Sequence, residues 1–316
     1  MGRQTFDFQA EDGLRIYGHK WVPADDGQAV RGVVQIAHGM AEHSGRYERF
    51  AVALNGRGFA VFANDHRGHG KTAGAVDNVG YFADTNGWNL VVNDMRQLTA
   101  VVREQYPQVP VFLLGHSMGS LLSRAYMIRH GSAVEGIILS ATSGDPGVLG
   151  KLGLLIARLE STLRGARHRS RLLNAMSFGK FNQSFEPRRT DFDWLSRDDD
   201  EVDAYIADPY CGGVFTSGFF VDLLRGLAEI NQPKNLAAIP ATLPVYLVSG
   251  EKDPVGDDTR GVLSVAKALQ NAAVDDVTYR FFSDARHEIL NETNREEVFA
   301  DIIAWIEKHM PAAHRQ

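Results

Sequence analysis

Ser117 lies in the run Gly115-His116-Ser117-Met118-Gly119, directly after an apolar stretch at 111–114 and directly before a helical pattern. Glycines on both sides of a serine let the backbone turn sharply from strand to helix and lift the hydroxyl clear of the sheet. A serine hydroxyl is nearly inert until a base takes its proton, so the chemistry on offer is nucleophilic acyl transfer assisted by a histidine and an orienting carboxylate. Two later loops supply both, in the order acid then base. Ser249-Gly250-Glu251-Lys252-Asp253-Pro254 follows the apolar run 245–248 and makes Asp253 the expected acid, with Glu251, Asp257 and Asp258 as nearby competitors. Ser283-Asp284-Ala285-Arg286-His287-Glu288 follows the run 279–282 and makes His287 the expected base. A single loop aspartate is usually a turn former. Agreement of three positions in order and context is what raises these.

An acyl-transfer site also needs donors for the developing oxyanion. The start of the helix after Ser117 offers the N–H of Met118. The second donor belongs in the loop after the run 33–37, which reads His38-Gly39-Met40-Ala41-Glu42-His43. Gly39 permits close approach, and the backbone N–H of Met40 is the expected donor.

The elements that must hold these loops are legible as a rhythm. Short, nearly continuous apolar runs at 33–37, 59–63, 111–114, 137–139, 245–248 and 279–282 alternate with helical-period segments. Strands buried on both faces lose polar alternation, whereas surface helices keep a stripe of period 3.6. The predicted fold is α/β, a mostly parallel central sheet flanked by helices. A hairpin precedes it, with strands at 5–8 and 14–21 about the turn Asp12-Gly13 and a polar loop at 23–27. The rhythm breaks between Ser140 and the run at 245. That stretch of about 100 residues is too long for a loop and reads as an inserted, mainly helical cap. The expected organisation is core at 1–141, cap at 142–240 and core again at 241–316; an unseen pair of strands in the insertion is the alternative.

Composition narrows the class. Of 316 residues 44% are apolar and 23% charged, which argues against disorder. A net charge of −6 gives nothing global to attract nucleic acid. One cysteine, Cys211, rules out a disulfide scaffold and a multi-cysteine zinc site. No apolar signal core follows the first residues and no run approaches the ~18 residues that cross a bilayer, so a soluble, cytoplasmic protein is expected.

The segments H-G-M-A-E-H at 38–43, N-D-H-R-G-H-G-K-T at 64–72, G-H-S-M-G-S at 115–120, S-G-E-K-D-P-V at 249–255 and D-A-R-H-E at 284–288 together resemble the monoacylglycerol lipase and lysophospholipase branch of the α/β-hydrolase superfamily. The resemblance covers nearly all of the chain outside the insertion. It implies Ser117, Asp253 and His287 as a catalytic triad, with the Met40 and Met118 backbones as oxyanion hole. Ser120 departs from the pattern, since such proteins often carry a second glycine there; the departure leaves the triad untouched. A serine at the nucleophile position argues against dehalogenase and epoxide hydrolase chemistry, for which the resemblance would place aspartate.

Other motifs yield less. Gly70-Lys71-Thr72 is reminiscent of a phosphate-binding loop, but Asp65 stands where that loop needs glycine and no clean helix begins there. His38, His43, His66 and His69 come without H-E-x-x-H or paired carboxylates, so no metal is expected. No cofactor is expected either. Leu149, Leu152, Ile156, Leu159 and Leu163 recur at helical spacing beside Arg158, Arg164, Arg167, Arg169 and Arg171. The reading adopted is that this stripe packs on the sheet domain and roofs a pocket, the arginines pairing with the acidic residues between 191 and 203. Peripheral contact with a membrane through the cap is the alternative. A second apolar face, Phe215, Phe219, Phe220 and Leu223, is expected to line an acyl-binding channel, with plain cap core as its alternative. Cys211 is given no catalytic role.

These readings converge on a serine ester hydrolase acting on a small-molecule ester or lipid of acylglycerol type. Aminopeptidase or carbon–carbon bond hydrolase chemistry, or a receptor without turnover, are the alternatives on the same scaffold.

Overall fold

The computed structural model describes residues 2–24 and 29–314, so part of the polar loop expected at 23–27 lies outside the described residues. Eight strands form one sheet in the order β1-β2-β4-β3-β5-β6-β7-β8. They are β1 Gly2–Gln9, β2 Arg15–Val22, β3 Gly32–Ala37, β4 Phe59–Asn64, β5 Val111–His116, β6 Gly136–Ser140, β7 Val245–Gly250 and β8 Val277–Phe282. The hairpin β1–β2 is antiparallel, and β2 also runs antiparallel to β4. From β4 to β8 every pairing is parallel.

The apolar runs are continuous because each inner strand feeds two cores. In β3, Val33 and Ala37 face one and Val34 and Ile36 the other; in β4, Ala60 and Phe62 oppose Phe59, Val61 and Ala63. Helices α1 (Glu48–Asn55) and α10 (Arg295–Lys308) cover the second face; α2 (Gly87–Gln105), α3 (Met118–His130) and α9 (Arg260–Asn271) cover the first. Each fully buried Val, Ile or Phe among them stabilises the fold by about 1.5–3 kcal/mol.

Between β6 and β7 lie α4 (Gly147–Arg164), α5 (Arg171–Phe178), α6 (Asp199–Ala207), α7 (Ser217–Ile230) and α8 (Pro233–Leu236). The extended pairing in this stretch is an isolated bridge between Arg169 and Thr216, so among the described residues the alternative of hidden strands fails.

The leucine stripe of α4 does not pack where the sequence reading put it. Leu149 is 75% exposed and Leu163 82%, and Leu152, Leu155 and Leu159 are exposed as well. The buried positions are Gly153 and Ala157, with Ile156 half-buried. Small residues let α4 lie close on α7, where a side chain at Gly153 would meet Leu224 at 3.3 Å. The arginine expectation also fails for three of its five residues. Arg164 pairs with Glu160 and Arg167 with Asp84, and Arg169 donates to the backbone oxygens of Val214 and Asp77. The acidic stretch finds other cations, Arg189 for Asp199 and Asp203, Arg295 for Asp198.

The loop that resembled a phosphate cradle is a structural rivet. Arg67 is buried and bonds Asp94 on α2 through Nε at 2.6 Å and Asp12 in the hairpin turn through Nη1 at 2.5 Å. No helix among the described residues is long and apolar enough to cross a membrane.

Candidate active site

Met40, Ser117, Asp253 and His287 follow β3, β5, β7 and β8, so all four sit at the carboxyl ends of parallel strands, along one edge of the sheet. Ser117 has φ 52° and ψ −119°, a backbone region that costs a non-glycine residue about 1–3 kcal/mol. Its N–H donates to the Ser140 oxygen on β6 at 2.9 Å, which ties the strained turn to the sheet. Gly119 permits the turn: a Cβ there would sit 2.0 Å from the Ala37 oxygen, so only glycine lets α3 start against the end of β3. Ser117 itself stays half-buried, reachable from outside.

Asp253 and His287 are brought together and closed off from solvent. His287 Nδ1 bonds Asp253 Oδ1 at 2.9 Å, and that carboxylate also accepts from the Val255 N–H at 2.9 Å and the Ser249 hydroxyl at 3.1 Å. Gly250 lets the two loops run side by side, since a Cβ there would lie 2.1 Å from the Ala285 oxygen. Burial pushes the His287 pKa down, but the Asp253 carboxylate outweighs it and leaves the imidazole above its ordinary value. Two of the three competing acids are engaged elsewhere. Glu251 accepts from Ser283, and Asp257 pairs with Arg260.

On the other flank, Met118 is the first residue of α3, where leading N–H groups have no intrahelical acceptor. The loop carrying Met40 lies against Ser117: a Cβ on Gly39 would be 3.2 Å from the serine Cβ. A buried ionic cluster holds this loop. Glu42 accepts from the Gly39 N–H at 2.5 Å and the Tyr47 hydroxyl at 2.8 Å, and its other oxygen accepts from Arg46 at 2.9 Å. Arg46 also grips Glu288, next to His287, through two bonds of 2.5 and 2.7 Å. Burial raises the Glu42 pKa, yet Arg46 and the nearby His116 and His38 outweigh that and hold it down at about 2. Glu288 is lowered in the same way by Arg46.

Two histidines back the site. His116 packs against His287 with ring centroids 4.9 Å apart and planes tilted by 49°, and burial followed by the His287 charge lowers it to about 4, so it stays neutral. His38 donates from Nδ1 to the Gly39 oxygen and accepts the His66 N–H, pinning the start of the Met40 loop.

A family model described as serine aminopeptidase, S33 matches residues 28–294. The chain belongs to that family. Along nearly its whole length it is also similar to a monoacylglycerol lipase of Mycolicibacterium smegmatis, 30% identical over 98% of each chain. The human monoglyceride lipase is 29% identical over 96% of this chain and 90% of its own. Among solved structures, a thermostable carboxyl esterase from Bacillus coagulans in complex with glycerol superposes with a TM-score of 0.90 at 31% identity, covering 98% of this chain and 100% of that one. The chain is therefore an α/β-hydrolase of the lipase and esterase kind, as its five motifs implied.

The sequence reading did not assign roles to Glu42, Arg46 or Glu288. Glu42 and Glu288 lie inside motifs already singled out, so the signal was present without a partner to interpret it. Trp194 was out of reach of sequence reasoning. It stands in an irregular segment, yet its oxygen accepts the His287 N–H at 3.3 Å and its ring lies 5.1 Å from the imidazole. Phe215, Phe219 and Phe220 are shut off from solvent, and Phe219 packs on Phe82 at 4.6 Å between centroids. Leu223 on the same helix is half-buried.

Proposed function

We propose that this α/β-hydrolase cleaves acylglycerol-type carboxylic esters through Ser117, His287 and Asp253. The observation that carries the assignment is the buried 2.9 Å pair of His287 Nδ1 with Asp253, at the same sheet edge as the left-handed serine. With Nδ1 committed to the carboxylate, Nε2 is the nitrogen left to take the serine proton. Ser117 Oγ attacks the ester carbonyl, and the N–H groups of Met40 and Met118 receive the oxyanion, worth about 3 kcal/mol per donor in such sites. The imidazolium then protonates the leaving alcohol. Water attacks the acyl-enzyme with His287 again as base, and the acid departs.

An acylglycerol substrate is supported by the relatives, two of them lipases of monoacylglycerols by name and one an esterase solved with glycerol. Residues 142–240 act as a cap over the serine, and its α7 supplies the acyl side of the pocket. Leu223, half-buried on that helix, is the residue proposed to meet the acyl chain first, with Phe215, Phe219 and Phe220 behind it. The exposed leucines of α4, flanked by Lys151, Arg158 and Arg164, meet a lipid surface from which the substrate is drawn.

The test is a series of p-nitrophenyl esters from acetyl to palmitoyl alongside a monoacylglycerol, with Ser117→Ala in parallel. Turnover at medium or long acyl length that falls by about a million-fold in the variant is expected. Turnover that survives in Ser117→Ala overturns the nucleophile; an acetyl optimum with no monoacylglycerol cleavage overturns the substrate class.

A further inference from the structure

His43 ends the loop that carries Met40, and two cap residues 165 and 168 positions later close on it. His43 Nε2 lies 2.9 Å from Asp208 Oδ2, and one ligand atom each from His43, Asp208 and Cys211 falls within 4.8 Å of the others. We infer that these three side chains form a binding site for a thiophilic divalent cation of the Zn2+ type, joining the cap to the oxyanion loop.

The donor set is the first argument. Imidazole nitrogen, carboxylate oxygen and thiolate sulfur are the three ligand types that zinc accepts, with a fourth position left to water. A tetrahedral ion at ordinary bond lengths holds its ligand atoms about 3.3–3.8 Å apart. The present spacing reaches that by shifts of about an ångström or less.

Preorganisation is the second. The Cys211 N–H donates to the Asp208 oxygen at 3.0 Å, so both cap ligands sit on one turn. The Tyr210 N–H holds Asp208 Oδ1 at 2.8 Å, which leaves Oδ2 facing His43. The Gly212 N–H donates to the Ala41 oxygen at 3.1 Å, already fastening that turn to the oxyanion loop. All three side chains are half-buried, open to an entering ion but partly stripped of water.

Charge sets the cost. Burial raises the Cys211 thiol well above its ordinary value, and Glu42 and Glu288 are already paired with Arg46, so an entering cation must itself displace the thiol proton. On binding, the thiol gives its proton to solvent. His43 Nδ1 now accepts from the Gly45 N–H, so its proton is on Nε2; as the metal takes Nε2 the proton moves to Nδ1 and the Gly45 bond is given up.

The wide separation along the chain is why no metal pattern is visible in the sequence. Neither Cys211 nor Asp208 has a part in the proposed acyl transfer, so the site stands or falls independently of it.

The probe is Co2+ added to the full-length, metal-stripped chain. One cobalt per chain is expected, with a thiolate-to-cobalt charge-transfer band, tetrahedral visible bands, and displacement of both by Zn2+. Cys211→Ser should abolish the charge-transfer band, and His43→Gln and Asp208→Asn should each weaken binding by roughly tenfold or more. Zn2+ should raise the Tm of the wild type but not of Cys211→Ser, a variant small enough to keep the native circular dichroism. Absence of the thiolate band overturns the site, as does a band of equal strength in His43→Gln and Asp208→Asn. Equal stabilisation of wild type and Cys211→Ser by Zn2+ also overturns it, because the ion then binds elsewhere.

Discussion

The sheet edge and the helices between β6 and β7 are built on opposite terms. At the sheet edge every loop is locked by buried polar bonds, from Asp253 on His287 to Glu42 and Glu288 on Arg46. In α4 the largest apolar side chains stand in solvent and the packed face is made of Gly153 and Ala157. The first region is finished as folded. The second leaves an apolar face in solvent, and the contrast shows that one hydrophobic period can serve two opposite ends. Periodicity says that a stripe exists; the small residues beside it say which way the helix lies.

Four substitutions press on that contrast. The largest effect belongs to Asp253→Asn, which leaves the loops in place but spoils the imidazole tautomer. It should lower kcat by about ten-thousand-fold, measured by initial rates on a p-nitrophenyl ester. The acid limb of kcat/KM should also move to lower pH. The wild-type His287 is held above its ordinary pKa and must be neutral to act as base, so losing the carboxylate lets it lose its proton sooner.

Next comes the ionic cluster. Glu42→Ala leaves Arg46 with one buried partner and should destabilise the fold by about 3–5 kcal/mol in urea unfolding. The same cluster predicts an acid weakness. The folded-state pKa of Glu42 is lowered to about 2, so its stabilisation is complete above the unfolded carboxyl value of about 4.3 and is lost as pH falls through that window. Wild type should lose more stability between pH 5 and pH 3 than Glu42→Gln does.

The two faces of α4 should then part company. Gly153→Leu forces a side chain against Leu224 on α7 and should cost about 1–3 kcal/mol. Leu159→Ser on the exposed face should change stability by no more than about 0.5 kcal/mol. It should nevertheless weaken co-sedimentation with anionic vesicles; unchanged binding would detach α4 from the lipid surface.

How far these features were legible from the sequence follows the same line. Each inner strand was readable because burial on both faces erases alternation, and the runs at 33–37, 59–63 and 245–248 fall inside observed strands. The pairing of Asp253 rather than Glu251 with His287 was readable because chain order and strand context limit the choices. Glu42 and Arg46 were visible as residues but not as a device, since Glu288, the partner that completes them, is 242 positions away from Arg46. The direction of the α4 stripe was misread because amphipathicity contains no information about which side meets the sheet. Trp194 gave no sign at all; an irregular segment has no period to read.

Arg67 has a further consequence for how the molecule comes apart. Its guanidinium spans the hairpin turn at Asp12 and α2 at Asp94, so β1 and β2 cannot peel away alone. Opening the hairpin must break the same side chain that anchors the loop holding His66 and His69 behind the site. Amide exchange in the outermost strands and in that loop should therefore rise together, as one cooperative unit, and a protease that nicks the first would report on the second.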